Sequence, residues 1–297
     1  MIEVIFIGLS VGSILLLVAL GLAITYGAMG VINMAHGEMV MAGAYVTVAT
    51  GIYLGLNIFF AIPLAFIVTA CIGLLIERLV VRRLYHRLLD TLLATWGIAI
   101  LMQQAVRLEF GLTFFGVHIE GLGPGLQSVD VPEILGGTYD FLGAEINTYR
   151  SFIILVTAAL AVLTWWLMYR TPIGTQVRAI IRNPQMAAAC GINVKRVNAL
   201  TFAYGSGLAG IAGVMMSGFK TVSPDMGTSM VVDGFLVVVV GGVGSLFGAV
   251  AASGLLGELN GVVASIYNDI LARAVVFGVV ILIIVLRPQG LFSFKGR

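Results

Sequence analysis

The chain has 297 residues, 60% of them hydrophobic and 10% charged, with a formal net charge of +2, whereas a soluble domain carries about a quarter charged residues. Its apolar residues come in runs close to the roughly 20 that span a hydrocarbon core, so lipid is the solvent and a water-soluble protein is excluded. No nucleic-acid partner is expected of so small a charge.

The first apolar run, Ile5 to Tyr26, has no basic region before it, only Glu3, and no small-residue cleavage site, so it reads as a retained span and not as a secretory signal. Further spans are expected at residues 38–52, 57–76, 91–110, 151–169, 198–218, 234–250, 251–266 and 271–287. The fold class is therefore an all-α integral membrane protein, a polytopic helical bundle of about 8–10 transmembrane segments. Cys71 and Cys190 lie in an apolar run and a basic segment, without metal spacing or an obvious pairing, and read as free thiols.

Charge along the chain sets the topology. Residues 77–90 hold Arg78, Arg82, Arg83, His86 and Arg87, and residues 170–197 hold Arg170, Arg178, Arg182, Lys195 and Arg196, so both segments are expected in the cytoplasm. Arg287, Lys295 and Arg297 put the C-terminus there too. The segment 111–150 has no basic residue before Arg150. It carries Glu120, Asp130, Glu133, Asp140 and Glu145, follows Glu109, and suits an external loop. Counting spans back from residue 77 places the N-terminus outside; if 38–52 only dips in and returns, the N-terminus is inside.

Polar groups enter the apolar sequence at a few places. Asn33, His36 and Glu38 sit between the first two runs, flanked by Gly27, Gly30 and Gly37, where the backbone can leave helical geometry beside a cavity. They are read as part of a solute path, against the alternative of an interfacial loop. Asp233 is expected to begin a second break, ahead of Gly241, Gly242 and Gly244, for which close packing is the first assignment. Thr95, Trp96, Gln103 and Gln104 fall on the span 91–110, where buried amides need partners, from a neighbouring helix or from solute. Glu258 is a further carboxylate within a span. Val31–Val46 and Val231–Leu246 look related, as an inverted repeat or as two unrelated small-residue segments.

Between spans, Thr171, Pro172 and Gly174 interrupt the chain before a helix expected at 176–189, with Arg178 and Arg182 one turn apart and Gly191 as its stop. Such a helix could take a push from a motor domain or lie on anionic lipid. The chain holds no G-x-x-x-x-G-K-[ST] phosphate loop, no metal-spaced His/Cys cluster and no assembled catalytic group, so an enzyme is a poor fit and no cofactor is expected.

GVINMAHGE at Gly30–Glu38, the segment with Arg178, Asn183, Ala187 and Gly191-Ile192, and VVVVGGVGS at Val237–Ser245 resemble the permease family of branched-chain amino acid and urea ABC importers, over nearly the whole chain. LLDTLLATWGIAILMQQ at Leu88–Gln104, Ser223–Ser245 and RPQGLF at Arg287–Phe292 resemble the urea permeases of that family in particular. The resemblance implies one permease domain over 1–297 in a bacterial plasma membrane. Its partners would be a second homologous permease, two cytoplasmic ATPase subunits that hydrolyse ATP, and a periplasmic or surface solute-binding protein. By the same resemblance 176–189 is a coupling helix, with Arg178, Arg182, Asn183, Ala187 and Gly191 at the ATPase contact, and the solute is urea. The rivals are an importer of branched-chain amino acids or short amides and, in another class, a passive channel.

Overall fold

The computed structural model describes residues 2–85, 87–107, 126–141 and 143–292, together with two short strands at Gly111–Leu112 and Val117–His118. His86, Glu109, Glu120, Lys295 and Arg297, used above for topology, lie outside the described residues.

The helices are α1 (Ile2–Met29), α2 (His36–Leu54), α3 (Ile58–Leu79), α4 (Leu88–Arg107), α5 (Thr148–Arg170), α6 (Pro172–Arg182), α7 (Pro184–Ala189), α8 (Val194–Ser217), α9 (Met226–Gly241), α10 (Leu246–Ile266) and α11 (Asp269–Leu286). A 3-10 turn, Val81–Arg83, follows α3, and a hairpin of Thr138–Phe141 with Ala144–Asn147 precedes α5. Among the described residues, α1, α3 with its 3-10 turn, α4, α5, α8, α10 and α11 are each long and apolar enough to cross a membrane. The expected all-α polytopic architecture is observed. The helix α2 falls short in apolarity because His36 and Glu38 occupy its first turn, and α9 is a shorter apolar helix of 16 residues.

Three sequence expectations are corrected. The boundary expected at residue 250 falls instead at 242–245, because Gly242 and Gly244 adopt φ of 96° and 78°, a left-handed geometry that other residues avoid. Hydropathy runs on across that turn and cannot reveal it. Asp233 consequently lies in the middle of α9 and begins no break. The single helix expected at 176–189 is two, because Pro184 cannot continue α6: it has no N–H, and it forces Asn183 into extended backbone at φ −159° and ψ 102°.

The chain forms two compact units, each discontinuous in sequence. Unit A comprises residues 1–28, 133–197 and 233–297, and unit B residues 29–132 and 198–232. In each, helices approach through glycines. In unit A, a Cβ on Gly257 would stand 2.4 Å from Gly12 Cα, and one on Gly261 2.6 Å from Gly8 Cα. Two small-xxx-small faces, Gly8/Gly12 and Gly257/Gly261, thereby bring α1 and α10 into backbone contact, as lipid-embedded helices require when hydrophobicity offers no net pull between them. In unit B, a Cβ on Gly43 would lie 2.0 Å from Gly210 O, and one on Gly213 1.9 Å from Val40 O. The most buried of the spanning helices, α8, is held there against α2 and α3.

Candidate functional site

The helix α1 ends at Gly30 (φ 64°), and residues 30–35 leave helical geometry before α2 begins. The freed backbone is satisfied locally. Asn33 Oδ1 accepts from Ala35 N at 3.1 Å, and Met34 N donates to Thr95 Oγ1 at 3.1 Å. Thr95 in turn donates to Thr91 O at 2.8 Å, so this buried threonine of α4 braces the break. His36, fully buried, opens α2.

Two residues further on, Glu38 is 1% exposed. Gln103, on α4, donates through Nε2 to Glu38 Oε1 at 2.9 Å and reaches Thr228 Oγ1, in the first turn of α9, at 2.8 Å. The close approach of α2 and α9 needs two glycines. A Cβ on Gly37 would lie 2.1 Å from Gly227 O, and one on Gly227 would lie 2.7 Å from Glu38 Oε2. Around this cluster three buried polar atoms have no hydrogen-bond partner: Glu38 Oε2, Asn33 Nδ2 and the hydroxyl of Tyr45. Buried polar atoms are ordinarily paired, because leaving one unpaired costs a few kcal/mol. Asn33 lies in the break itself, Glu38 in the first turn of α2, and Tyr45 two turns further along that helix. Seven residues after Glu38, Tyr45 lies on the same face of α2. One turn after Gln103, Arg107 ends α4 and pairs with Asp225, just before α9.

Of the candidate path residues, Asn33, His36, Glu38, Thr95 and Gln103 are thus gathered in unit B. Trp96 is half exposed and Gln104 exposed, off the cluster on α4. Asp233 belongs to unit A, where its carboxylate lies 3.4 Å from Arg273 of α11. Thr228, Gly227, Tyr45 and the Arg107–Asp225 pair are not found by the sequence reading, since nothing local signals a pairing across 118 residues.

The basic segments are also organised. Glu77, fully buried, accepts from Arg82 Nη2 at 2.8 Å and from the Tyr85 hydroxyl. Burial, and next the bond to Glu77, pushes the Tyr85 phenol above its ordinary range. In unit A, Thr171 caps α6 by accepting from Gly174 N at 3.2 Å, with Pro172 at the first helical position. Gly174, Val177 and Ile180 face inward and Ile181 reaches Gly27 of α1. Arg178 donates to Met168 O at the end of α5 and stacks 5.0 Å from the Tyr169 ring centroid, so it anchors α6 rather than presenting a free cation. Asn183 caps α7, accepting from Met186 N at 3.0 Å, and Ala187 is buried. Arg182, Met186 and Gly191 are exposed, Gly191 in a turn at φ 83°.

The profile of the family described as branched-chain amino acid transport system / permease component matches residues 4–285. The chain belongs to that family. It is therefore a multi-pass membrane permease subunit of transport-system type. It is 30% identical to the high-affinity branched-chain amino acid transport system permease protein BraD of Pseudomonas aeruginosa, over 96% of this chain and 94% of that one. It is 29% identical to LivH of Escherichia coli, over 97% and 94%, and 26% identical to LivM of Salmonella typhimurium, over 94% and 67%. No solved structure gives a significant match. These relatives are named for branched-chain amino acids, and the closeness to urea permeases expected from three short segments finds no support among them.

Proposed function

We propose that this chain is one permease of an ATP-driven importer of branched-chain amino acids, acting with a second homologous permease, two cytoplasmic ATPase subunits and an external binding protein. The observation that carries the reading is the buried Glu38–Gln103–Thr228 cluster at a helix break, with its unmatched polar atoms, in a chain of this family. Broken helices with polar linings are where transporters hold polar cargo within the membrane. Asn33, His36, Glu38 and Gln103 then line the path, with Thr95 bracing it. An aliphatic zwitterion also needs polar partners on its route, and the carboxyl group of Glu38 is one.

The pair α6–α7 is the ATPase contact in this reading. Arg182 and Met186 are among its exposed residues, while Ile181 rests by Gly27, near the end of α1. Because α1 runs directly into the 30–35 break, a push on α6 would reach α1 through the packing of Ile181 by Gly27 and then Glu38 along the chain. Urea is the rival solute, carried over from the shorter resemblances.

The test is uptake of labelled leucine and labelled urea by cells lacking the gene and by cells in which it is restored. ATP-dependent leucine uptake that is lost and rescued, and that competes with isoleucine and valine but not with urea or acetamide, is expected. Rescue of urea uptake alone would overturn the substrate; uptake independent of ATP would overturn the importer.

A further inference from the structure

The Arg107–Asp225 pair is not part of any path read from the sequence, yet it stands directly over one. Arg107 and Gln103 are one turn apart on α4, and both grip the start of α9, Arg107 through Asp225 and Gln103 through Thr228. The pair is solvent-accessible, at 37% and 70% of its side chains, and Thr228 is exposed, whereas Glu38 at the far end of the same hydrogen-bond chain is buried. Two turns beyond Glu38 on the same face of α2 stands Tyr45, whose buried hydroxyl has no partner. Val222, three residues before Asp225, pairs through its backbone with Gln127, so the clasp faces the side of the acidic loop that charge places outside the cell. Exposed charge therefore leads, over a few residues, to buried unmatched polar atoms.

We propose that Arg107 and Asp225 form the first docking site on this permease for the zwitterionic head of the solute. The guanidinium of Arg107 receives the α-carboxylate in a bidentate geometry, and the carboxylate of Asp225 receives the α-ammonium. The two groups neutralise each other while the site is empty. The incoming zwitterion replaces both halves of the pair at once, so no charge is left unpaired during the exchange, which is the condition for parting an ion pair cheaply. Parting it releases α4 from α9 and opens the way to Thr228, Gln103 and Glu38, with Tyr45 beside them. A neutral solute such as urea has no means of making that exchange. The inference rests on the amino acid reading above and sharpens it from a substrate class to a pair of residues.

The experiment uses the complete importer in proteoliposomes, with binding protein, ATP and labelled leucine. Arg107→Gln and Asp225→Asn are each expected to raise KM for leucine-loaded binding protein about tenfold or more, the size of one lost charged hydrogen bond. The variant complexes are expected to assemble at wild-type abundance, read by size-exclusion chromatography, so that a raised KM reports docking and not loss of protein. The exchanged pair, Arg107→Asp with Asp225→Arg, rebuilds the clasp but reverses the order of charge that the zwitterion meets, so leucine uptake is expected to remain low. Unchanged uptake in both single variants, or uptake restored by the exchange, would overturn the docking role and leave an ordinary structural ion pair. A wild-type importer that carries urea and no amino acid would overturn the substrate reading and this inference with it. A leucine importer indifferent to both substitutions overturns this inference alone.

Discussion

Units A and B are assembled by the same device and put it to different ends. In both, glycines bring helix backbones into contact, and in both a carboxylate lies against one of those glycines: a Cβ on Gly8 would lie 2.7 Å from Glu258 Oε2 in unit A, and one on Gly227 2.7 Å from Glu38 Oε2 in unit B. In unit A the contact joins two long regular helices, α1 and α10. Elsewhere in unit A, Asp233 and Arg273 form an ion pair at 3.4 Å. In unit B the contact falls at the start of two helices, α2 and α9, and the carboxylate is tied through Gln103 to an exposed hydroxyl. Close packing alone gives a rigid scaffold. Close packing at helix ends, where backbone groups must be satisfied from outside the helix, is what sets the proposed site apart.

The sharpest way to break this contrast is to neutralise each carboxylate in turn. Glu38→Gln keeps the shape and the link to Gln103, so the protein should reach the membrane at normal abundance while leucine uptake falls about tenfold to 100-fold, the effect of one charged hydrogen-bonding group. Glu258→Gln, assayed in parallel, should leave uptake within about twofold of wild type. Equal losses in both would erase the distinction between the units.

The glycines come next. Gly227→Ala places a methyl against Glu38 and Gly37 O, both at 2.7 Å, and should cost about 1–3 kcal/mol of stability; thermal unfolding in detergent and uptake should fall together. Gly257→Ala should lower thermal stability by a similar amount but leave KM for uptake unchanged. A change in KM for the unit A variant would contradict its role as scaffold. A smaller effect is expected at the seat of α6. Arg178→Ala removes both the bond to Met168 O and the stacking on Tyr169, together about 1–3 kcal/mol, and should lower the maximal uptake rate at constant KM. The smallest effect belongs to Thr157, whose buried hydroxyl in α5 has no partner. Thr157→Val should leave uptake unchanged and raise stability by about 1 kcal/mol, since it removes an unsatisfied polar group. A thermal shift in detergent reads it.

Much of the scaffold is legible in the sequence because lipid imposes one strong rule, and long apolar runs meet it at α1, α3, α5, α8 and α11 with little ambiguity. The same rule hides what lies inside a run. The turn at Gly242 and Gly244 is embedded in valines, so hydropathy places the boundary several residues late although its glycines are visible. Pro184 is also in plain view, but the helical composition on either side of it outweighs it in a reading by composition. The Gly8/Gly12 and Gly257/Gly261 faces have the spacing of helix-packing motifs but gain meaning only when each has found the other. The candidate site divides in the same way. Asn33, His36 and Glu38 stand out because charge is costly within an apolar sequence, and Gln103 because an amide there needs a partner. Thr228 and Asp225 follow an ordinary polar loop, and only the fold brings them to α4.

The central claim is that solute passes the Glu38–Gln103–Thr228 cluster, and Thr228, its exposed end, is the place to test it. Thr228→Cys, with Cys71 and Cys190 replaced by serine, would be treated with a thiol reagent in the assembled importer, with and without leucine-loaded binding protein and ATP. The account predicts that the thiol introduced at position 228 reacts in the resting complex and that turnover with leucine, but not with urea, slows its labelling. Labelling indifferent to both solute and ATP would contradict it.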